Sequence, residues 1–511
     1  VVTAFKDASL LGYQSSDWTK QALVWLTCVA IADPINVGAR KLWGRVINDS
    51  PKGFIAGNMF KGETRHGFFM GGSGHGKSSL IKEAMADQMS DVMKGKMSMF
   101  VMDGTELIPE ILTKVNPTDR QIRERVVLID VLEAGGVGDI GSMPRLNMLN
   151  TGAGDSNSFI AMTAKASIFE MVFGSLLEGN EQSGPMSTML SFASKTLAYV
   201  ENPSPDDFIN LLRDPFTFME GVKGIPKLVK EYWQDEIKVK PIKDGREIIG
   251  HEVMPNPTSG ALQRRAYQMI SNPIIERLLC NPLETVNLAQ KLNDGAFVAV
   301  ATRSGAATAV GSRHIGRFML SMLLRATKAR DSLGAALPVA AYIDEFPNYL
   351  LGGKDESLIG LLSEARKFRI SINLICQEEG QTAPAMLSSL IANCATFGSR
   401  NMAERLRFPM KIEQVESGPN KGKPNIDILK LNPHNFAACV KGHQPVVIKS
   451  KKDALGDRFR RIPKGKKGKK MLEDTMTRVN GIMRELYAYD PIEQQIDESD
   501  NVERFEEAQP I

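Results

Sequence analysis

The 511-residue chain is poor in the residues that staple small folds and build metal centres, with five cysteines and six histidines. Cys28, Cys280, Cys376, Cys394 and Cys439 lie far apart, and no Cys-x-x-Cys pair or Cys/His cluster stands at metal-ligand spacing. A disulfide framework and a structural zinc are thereby excluded, and reduced, buried thiols in a cytosolic compartment are expected. Long apolar runs are also missing. The longest near the start, Ala22 to Ala32, is about half of the ~20 residues a membrane span requires. Nothing in the sequence itself crosses a bilayer; because it starts at Val1 and not Met, an N-terminal anchor ahead of it stays an open expectation. Excess charge of one sign is scarce as well, at +4 overall. What is present, 42% hydrophobic and 24% charged residues without low-complexity tracts or repeats, suits a globular chain of about three domains at roughly 150 residues each.

The pattern of apolar runs gives the organisation. Gly67 to Met70 reads as a short strand, followed by a glycine cluster and an amphipathic helix from Lys77 to about Met89. Met97 to Met102 and Val126 to Ile129 read as buried strands that end at Asp103 and Asp130, the edge where open α/β sheets place their chemistry. From 151 to 290 strands nearly vanish. Helices are predicted at Phe159 to Leu177, Met186 to Val200, Asp206 to Leu212, Phe218 to Trp233 and Ala261 to Leu279, with one small hairpin or loop over Lys238 to Val253. Strands then return at Ala296 to Ala301, Val339 to Ile343, Ile370 to Ile375 and Ala395 to Phe397, with helices at Arg313 to Lys328 and Ser357 to Lys367. Alternation of this kind predicts a doubly wound, mostly parallel α/β sheet. The expected division is an N-terminal segment 1–58, a first sheet segment 59–150, an all-α insertion 151–290, a second sheet segment 291–450 and a charged tail 451–511. A terminal hairpin is expected from Phe436 to Ile448.

Gly71-Gly72-Ser73-Gly74-His75-Gly76-Lys77-Ser78 fits G-x-x-x-x-G-K-[ST] at every fixed position. Glycines let successive backbone N–H groups curl around a β-phosphate, and the helix that starts here, with Ser79 in its first turn, adds its positive end. Lys77 would then reach the β- and γ-phosphates of ATP, and Ser78 would coordinate Mg²⁺. The bland reading is a glycine-rich turn with no ligand. Val339 to Ile343 supplies an apolar strand ending in two acids: Asp344 for the metal's surroundings, Glu345 as general base for water. Without the loop they would be two solvated acids at a strand end. The next strand ends at Gln377, able to donate to the γ-phosphate or orient water.

Taken together these residues resemble the type IV secretion coupling proteins of the TraD/TraG type, within the FtsK/HerA class of P-loop, RecA-like translocation ATPases. Thr64-Arg65-His66, Asp103-Gly104-Thr105-Glu106, Val126 to Asp130 followed by Pro144-Arg145-Leu146-Asn147-Met148-Leu149, Ile343-Asp344-Glu345-Phe346-Pro347, Glu364-Ala365-Arg366-Lys367, Gln377 and Ile391-Ala392-Asn393-Cys394 follow the family's order from about 60 to 450. Departures inside the phosphate loop, at Met148 and at Glu378-Glu379 are similar to a divergent branch, of the Dot/Icm or IncI type. The resemblance implies ATP hydrolysis with Mg²⁺, a homo-hexameric ring at the cytoplasmic face of a bacterial inner membrane, inner-membrane secretion components and adaptor proteins as partners, and protein or single-stranded DNA as cargo. It also implies an arginine supplied by a neighbouring subunit. Arg366 resembles that finger; the alternative is a basic residue favourable to a helix C-terminus, and Arg303 and Arg313 are reserves. A chromosomal DNA translocase of the same class, or a nucleotide-gated scaffold for adaptors, are the competing readings.

The near-neutral total hides a divided tail. Lys441 to Lys470 carries twelve Lys/Arg against two Asp, and Met471 to Ile511 three Arg against eleven acids. The basic run Lys464 to Lys470 reads as a solvated linker or a contact for nucleic acid, anionic lipid or an acidic partner. Leu472, Met476, Val479, Met483 and Leu486 form one apolar stripe at helical spacing, packed within the chain or docked on a partner.

Overall fold

The computed structural model describes residues 66–130, 144–146, 159–174, 184–201, 203–244, 247–271, 286–302, 308–329, 337–350, 356–377, 382, 384–399, 431–439 and 446–487. The expected segment 1–58 lies outside them, as do Arg303, the 147–149 part of the Pro-x-x-Asn passage and the acidic end after Tyr487.

Eleven strands are described: β1 His66–Met70, β2 Ser98–Asp103, β3 Val126–Asp130, β4 Val239–Asp244, β5 Glu247–Val253, β6 Phe297–Ala301, β7 Val339–Ile343, β8 Ile370–Cys376, β9 Cys394–Gly398, β10 Asn435–Cys439 and β11 Val446–Lys449. Nine form one sheet in the order β11-β10-β9-β1-β8-β7-β2-β6-β3. Every pair from β9 to β3 is parallel, and only the β9–β10–β11 end is antiparallel. The parallel strands are buried along their whole length. Both faces are covered, so the sequence shows continuous apolar runs and not alternation.

The helices follow from the connections. On one face lie α1 Lys77–Met93, α2 Leu107–Val115 and α3 Asp119–Arg125; after the insertion come α10 Leu288–Asn293, α11 Thr308–Ala329, α12 Glu356–Glu364 and α13 Pro384–Asn393, with α11, α12 and α13 packed side by side. The chain runs from β1 outward to β3 and returns from β6 to β9, and right-handed crossovers put these two sets on opposite faces. Helices α2 and α3 were not foreseen between Asp103 and Val126. Both are short, and α3 is set by a capping box at Thr118 and Gln121 more than by any apolar stripe.

Between β3 and α10 lie α4 Phe159–Gly174, α5 Gly184–Leu197, α6 Pro205–Arg213, α7 Pro215–Glu220, α8 Lys227–Glu236 and α9 Pro257–Ile270, with the hairpin β4–β5 before α9. The helix expected over Phe218 to Trp233 is in fact two. Gly224 takes φ +85° and Pro226 precedes α8, so the chain turns instead of continuing. Trp233 anchors this unit: its ring is fully buried and Nε1 donates to Thr196 Oγ1 at 3.0 Å.

The tail corrects a second expectation. Helix α14 Ala454–Arg458 packs on α1 and α2, and α15 Lys466–Tyr487 packs on α2, α3 and β3. From Lys466 onward the basic run is helix, not linker. The apolar stripe is covered by the chain itself through Met476, Val479, Ile482, Met483 and Tyr487, while Leu486 is 40% exposed. The expected step from Met483 to Leu486 fails because the buried face continues one residue further round, at Tyr487.

Candidate nucleotide site

The parallel strands end on one line. In sheet order β1, β8, β7, β2 and β6, the residues just past or at the C-terminal ends are Gly71, Gln377, Asp344 with Glu345, Asp103 and Thr302. Sheet order brings to one edge residues that are remote in sequence, in the crevice where doubly wound folds bind ligands.

The loop from Gly71 to Gly76 is built by backbone constraints. Gly74 and Gly76 have φ of +76° and +93°, where a side chain is strained. A Cβ on Gly76 would also lie 2.4 Å from His434 Nδ1. His75 N–H donates to Gly72 O at 3.3 Å, closing the turn, and Leu80 N–H to Gly76 O at 3.0 Å opens α1. The amides of Lys77, Ser78 and Ser79 are the first of the helix, which have no acceptor inside it. Ser78 is exposed, Ser79 and Lys77 half-buried. Behind the loop, His434 N–H donates to His75 O at 2.9 Å and Ser399 N–H to Met70 O at 3.1 Å.

Burial lowers the Lys77 pKa, and the charges of Asp344, Cys376 and Glu345 pull it back up. Lys77 therefore lies within electrostatic range of both acids. Asp344 N–H donates to Met102 O at 2.9 Å, which fixes it beside β2 and Asp103. Burial first, then the charge of Asp103, pushes its carboxyl up to about 6, with Glu345 adding and Lys77 opposing. Asp103 is itself raised by burial, and its oxygens accept from Thr105 Oγ1 at 2.7 Å and Leu107 N–H at 2.9 Å, capping α2. Buried Asp103 and half-buried Asp344 are neighbouring carboxyls at this edge whose ionisation is opposed, and a divalent cation would neutralise them. The residues therefore fit Mg²⁺ with a triphosphate, although the protein alone offers no group of three or more ligating side chains among the described residues.

Glu345 adopts φ +48° and ψ +41°, a left-handed conformation uncommon outside glycine and worth ~1 kcal/mol of strain. Its carboxylate is held on both oxygens: Gln377 Nε2 donates to Oε1, and Asn348 Nδ2 to Oε2 at 3.2 Å. Gln377 thus meets the site through Glu345, as a positioning group. Asn348, Ser399 and His434 are not marked by the sequence, whereas Asp103, expected at the chemical edge of the sheet, acts on Asp344 through its charge. Asn348 stands three residues after Glu345, but its bond to that carboxylate depends on the left-handed turn there; His434 carries no motif.

Arg366 lies elsewhere. It follows α12 in an exposed turn, and its charge acts on His66 and Cys394, paired residues at the first positions of β1 and β9. That is the opposite sheet edge from the phosphate loop. The helix expected to reach Lys367 stops at Glu364, because the chain turns through Arg369 at φ +59° to enter β8. Arg313 is exposed on α11.

Strand β1, the glycine loop and α1, with β8 and β7 beside them bearing Gln377 and the acid pair, decide the architecture. The chain has a P-loop NTPase fold.

No family model matches this P-loop chain, and no curated protein matches it. Among solved structures it is similar to the plasmid coupling protein TrwB in complex with ADP and Mg²⁺, at 13% identity and a TM-score of 0.48 over 76% of this chain and 85% of that one. The unbound bacterial conjugative coupling protein TrwB gives 13% and 0.47 over 76% and 85%. VirB4 of Thermoanaerobacter pseudethanolicus gives 13% and 0.46 over 76% and 89%. Among the described residues no helix is long and apolar enough to cross a membrane.

Proposed function

We propose that this chain is an ATP-hydrolysing coupling protein of a type IV secretion system, which recruits protein effectors or DNA–relaxase complexes and passes them to the channel. The observation that carries the enzymatic part is the meeting of Lys77, Asp344, Glu345 and Gln377 at one sheet edge. A turn that merely needed glycine has no use for a general-base carboxylate locked on both oxygens. The secretion role is supported by the order of motifs from Thr64 to Cys394.

In this reading the loop amides and Lys77 hold the β- and γ-phosphates. Ser78 and Asp344 hold Mg²⁺, which when bound neutralises charge on the phosphate oxygens. Glu345 accepts a proton from the attacking water, with Gln377 and Asn348 keeping its carboxylate aimed. An exposed Arg366 at the far edge has no phosphate of its own subunit to reach, which supports a ring in which it serves a neighbour.

Steady-state phosphate release from the purified chain tests this. Lys77→Ala should lose nucleotide binding. Glu345→Gln should bind ATP but turn over at least ~10²-fold slower. Gln377→Ala should lower kcat by ~10-fold with little change in KM, as loss of a positioning contact does. Turnover that survived both Lys77→Ala and Glu345→Gln would sink the enzymatic claim. Adaptors or a relaxase co-purifying from the native membrane would separate protein from DNA cargo.

A further inference from the structure

The tail borders a basic cavity away from the glycine loop. Between the C-terminal end of α2 and the first half of α15 lies a cavity of about 380 Å³ whose lining includes Arg460, Lys467, Lys470 and Arg478 against one carboxylate, Asp474. Helix α2 begins by Asp103 at the sheet edge that bears the glycine loop and ends at Asn116 toward the other, so the cavity lies at the opposite edge from the phosphate loop.

Its arginines are fixed before any ligand arrives. Arg460 Nη2 donates to Thr113 O at 2.8 Å, and Arg478 Nη2 to Pro117 O at 2.8 Å and Asn116 Oδ1 at 3.2 Å. Asp119 lies 3.6 Å from Arg478, but Arg460 Nε is buried with no hydrogen-bond partner among the described residues. Burial and the charge of Arg478 both lower the Arg460 pKa, as two crowded cations do. Lys467 and Lys470 are exposed and have no acid partner among the described residues. With Lys466 and Lys469 they crowd the first turns of α15, the positive end of the helix dipole, where cations destabilise. A bound anion would relieve this local excess of positive charge.

We propose that this cavity binds a phosphate-bearing anion of at least two negative charges. Forked guanidiniums beside mobile ammonium groups match tetrahedral oxyanions. No aromatic side chain lines the cavity to stack a base or hold an apolar peptide side chain, so the phosphates themselves are what it recognises. A free polyphosphate and a nucleic-acid backbone share this chemistry.

The test uses the full chain carrying Lys77→Ala, so that the phosphate loop does not compete, titrated calorimetrically with sodium tripolyphosphate without Mg²⁺. Binding should weaken at least tenfold on adding Lys467→Ala with Lys470→Ala, and tighten severalfold on adding Asp474→Asn. The opposite sign of the second variant separates the site from misfolding. A 15-mer oligodeoxythymidine that displaces tripolyphosphate with the same lysine dependence identifies a strand as the source; one that does not identifies a small anion. No binding at 1 mM tripolyphosphate in 50 mM salt, or binding indifferent to all three substitutions, overturns the proposal. So does lysine-dependent binding of a peptide of residues 488–511 where tripolyphosphate fails.

Discussion

Asp344 shows how far one carboxyl is held from its preferred state. Its pKa of about 6 is raised above the ordinary 3.8 by burial and by Asp103. A raised acid pKa means that the folded chain binds the proton more tightly than the unfolded one. Stability on this account rises as pH falls through 6 toward 3.8, and above pH 6 ionisation costs on the order of 2–3 kcal/mol. His66 works in the opposite sense. Buried and near Arg366, with Nδ1 accepting from Ile372 N–H at 3.0 Å, it has a pKa lowered from 6.5 to about 4. Its contribution is complete above 6.5 and lost as pH falls toward 4. The two offset each other over the same interval. Asp344→Asn should therefore gain ~2 kcal/mol in urea unfolding at pH 7.5, lose ATP turnover, and fall in stability more steeply than the parent between pH 6.5 and 4. A variant no more stable than the parent at pH 7.5 would show that Asp344 is not strained by ionisation.

Among the elements, the tail helices depart furthest from what the sequence suggests. Helix α14 is clamped by Arg458 to Asp87 at 2.6 Å, by Lys451 to Glu83 on α1, and by Asp453 to Lys114 on α2. Lys114 and Lys82 share Glu110, so α1, α2 and α14 meet in one ionic network. Removing residues 451–511 uncovers the apolar contacts of α2 and α3 with Val479 and Met483. This truncation should lower the melting temperature by several degrees, consistent with a loss of a few kcal/mol, and reduce solubility. Ending the chain after Tyr487 should leave both unchanged. Equal melting temperatures for the two truncations would refute packing of the tail as described. The parallel strands were legible because burial on both faces makes each an uninterrupted apolar run closed by a polar residue, as in Val339 to Ile343 before Asp344. The break at Gly224 and the helices α2 and α3 were obscured because apolar spacing continues across the one and is too brief in the others. Lys77, Asp344, Glu345 and Gln377 were readable as a set because each ends a strand or starts a helix. Asn348 and His434 were not, since their roles depend on a left-handed residue and on a sheet neighbour that no local pattern encodes.

For the whole molecule, the place of Arg366 sets a test of the proposed ring. It lies at the sheet edge away from its own loop, so under that proposal it would serve a neighbouring subunit's nucleotide. Arg366→Ala alone and Lys77→Ala alone should each be inactive, yet mixing the two under assembling conditions should restore part of the turnover. Some interfaces then pair an intact loop with an intact arginine. Restoration absent from mixtures that demonstrably co-assemble would return Arg366 to a plain helix-end role. The charge of the molecule has the same uneven geography: a near-neutral body, with the basic cavity at α15 concentrating what attraction for anions there is.

The backbone bond from His434 to His75 ties the phosphate loop to a residue near the other end of the chain. Strand β1, which carries the loop, is flanked by β8 and β9, both made late. A ribosome at 5–20 residues per second reaches His434 roughly 20–70 s after Ser78. During that interval the glycine loop has neither its back wall nor its flanking strands. The loop's shape is thereby a property of the finished domain, completed only when the last strands of the sheet are in place.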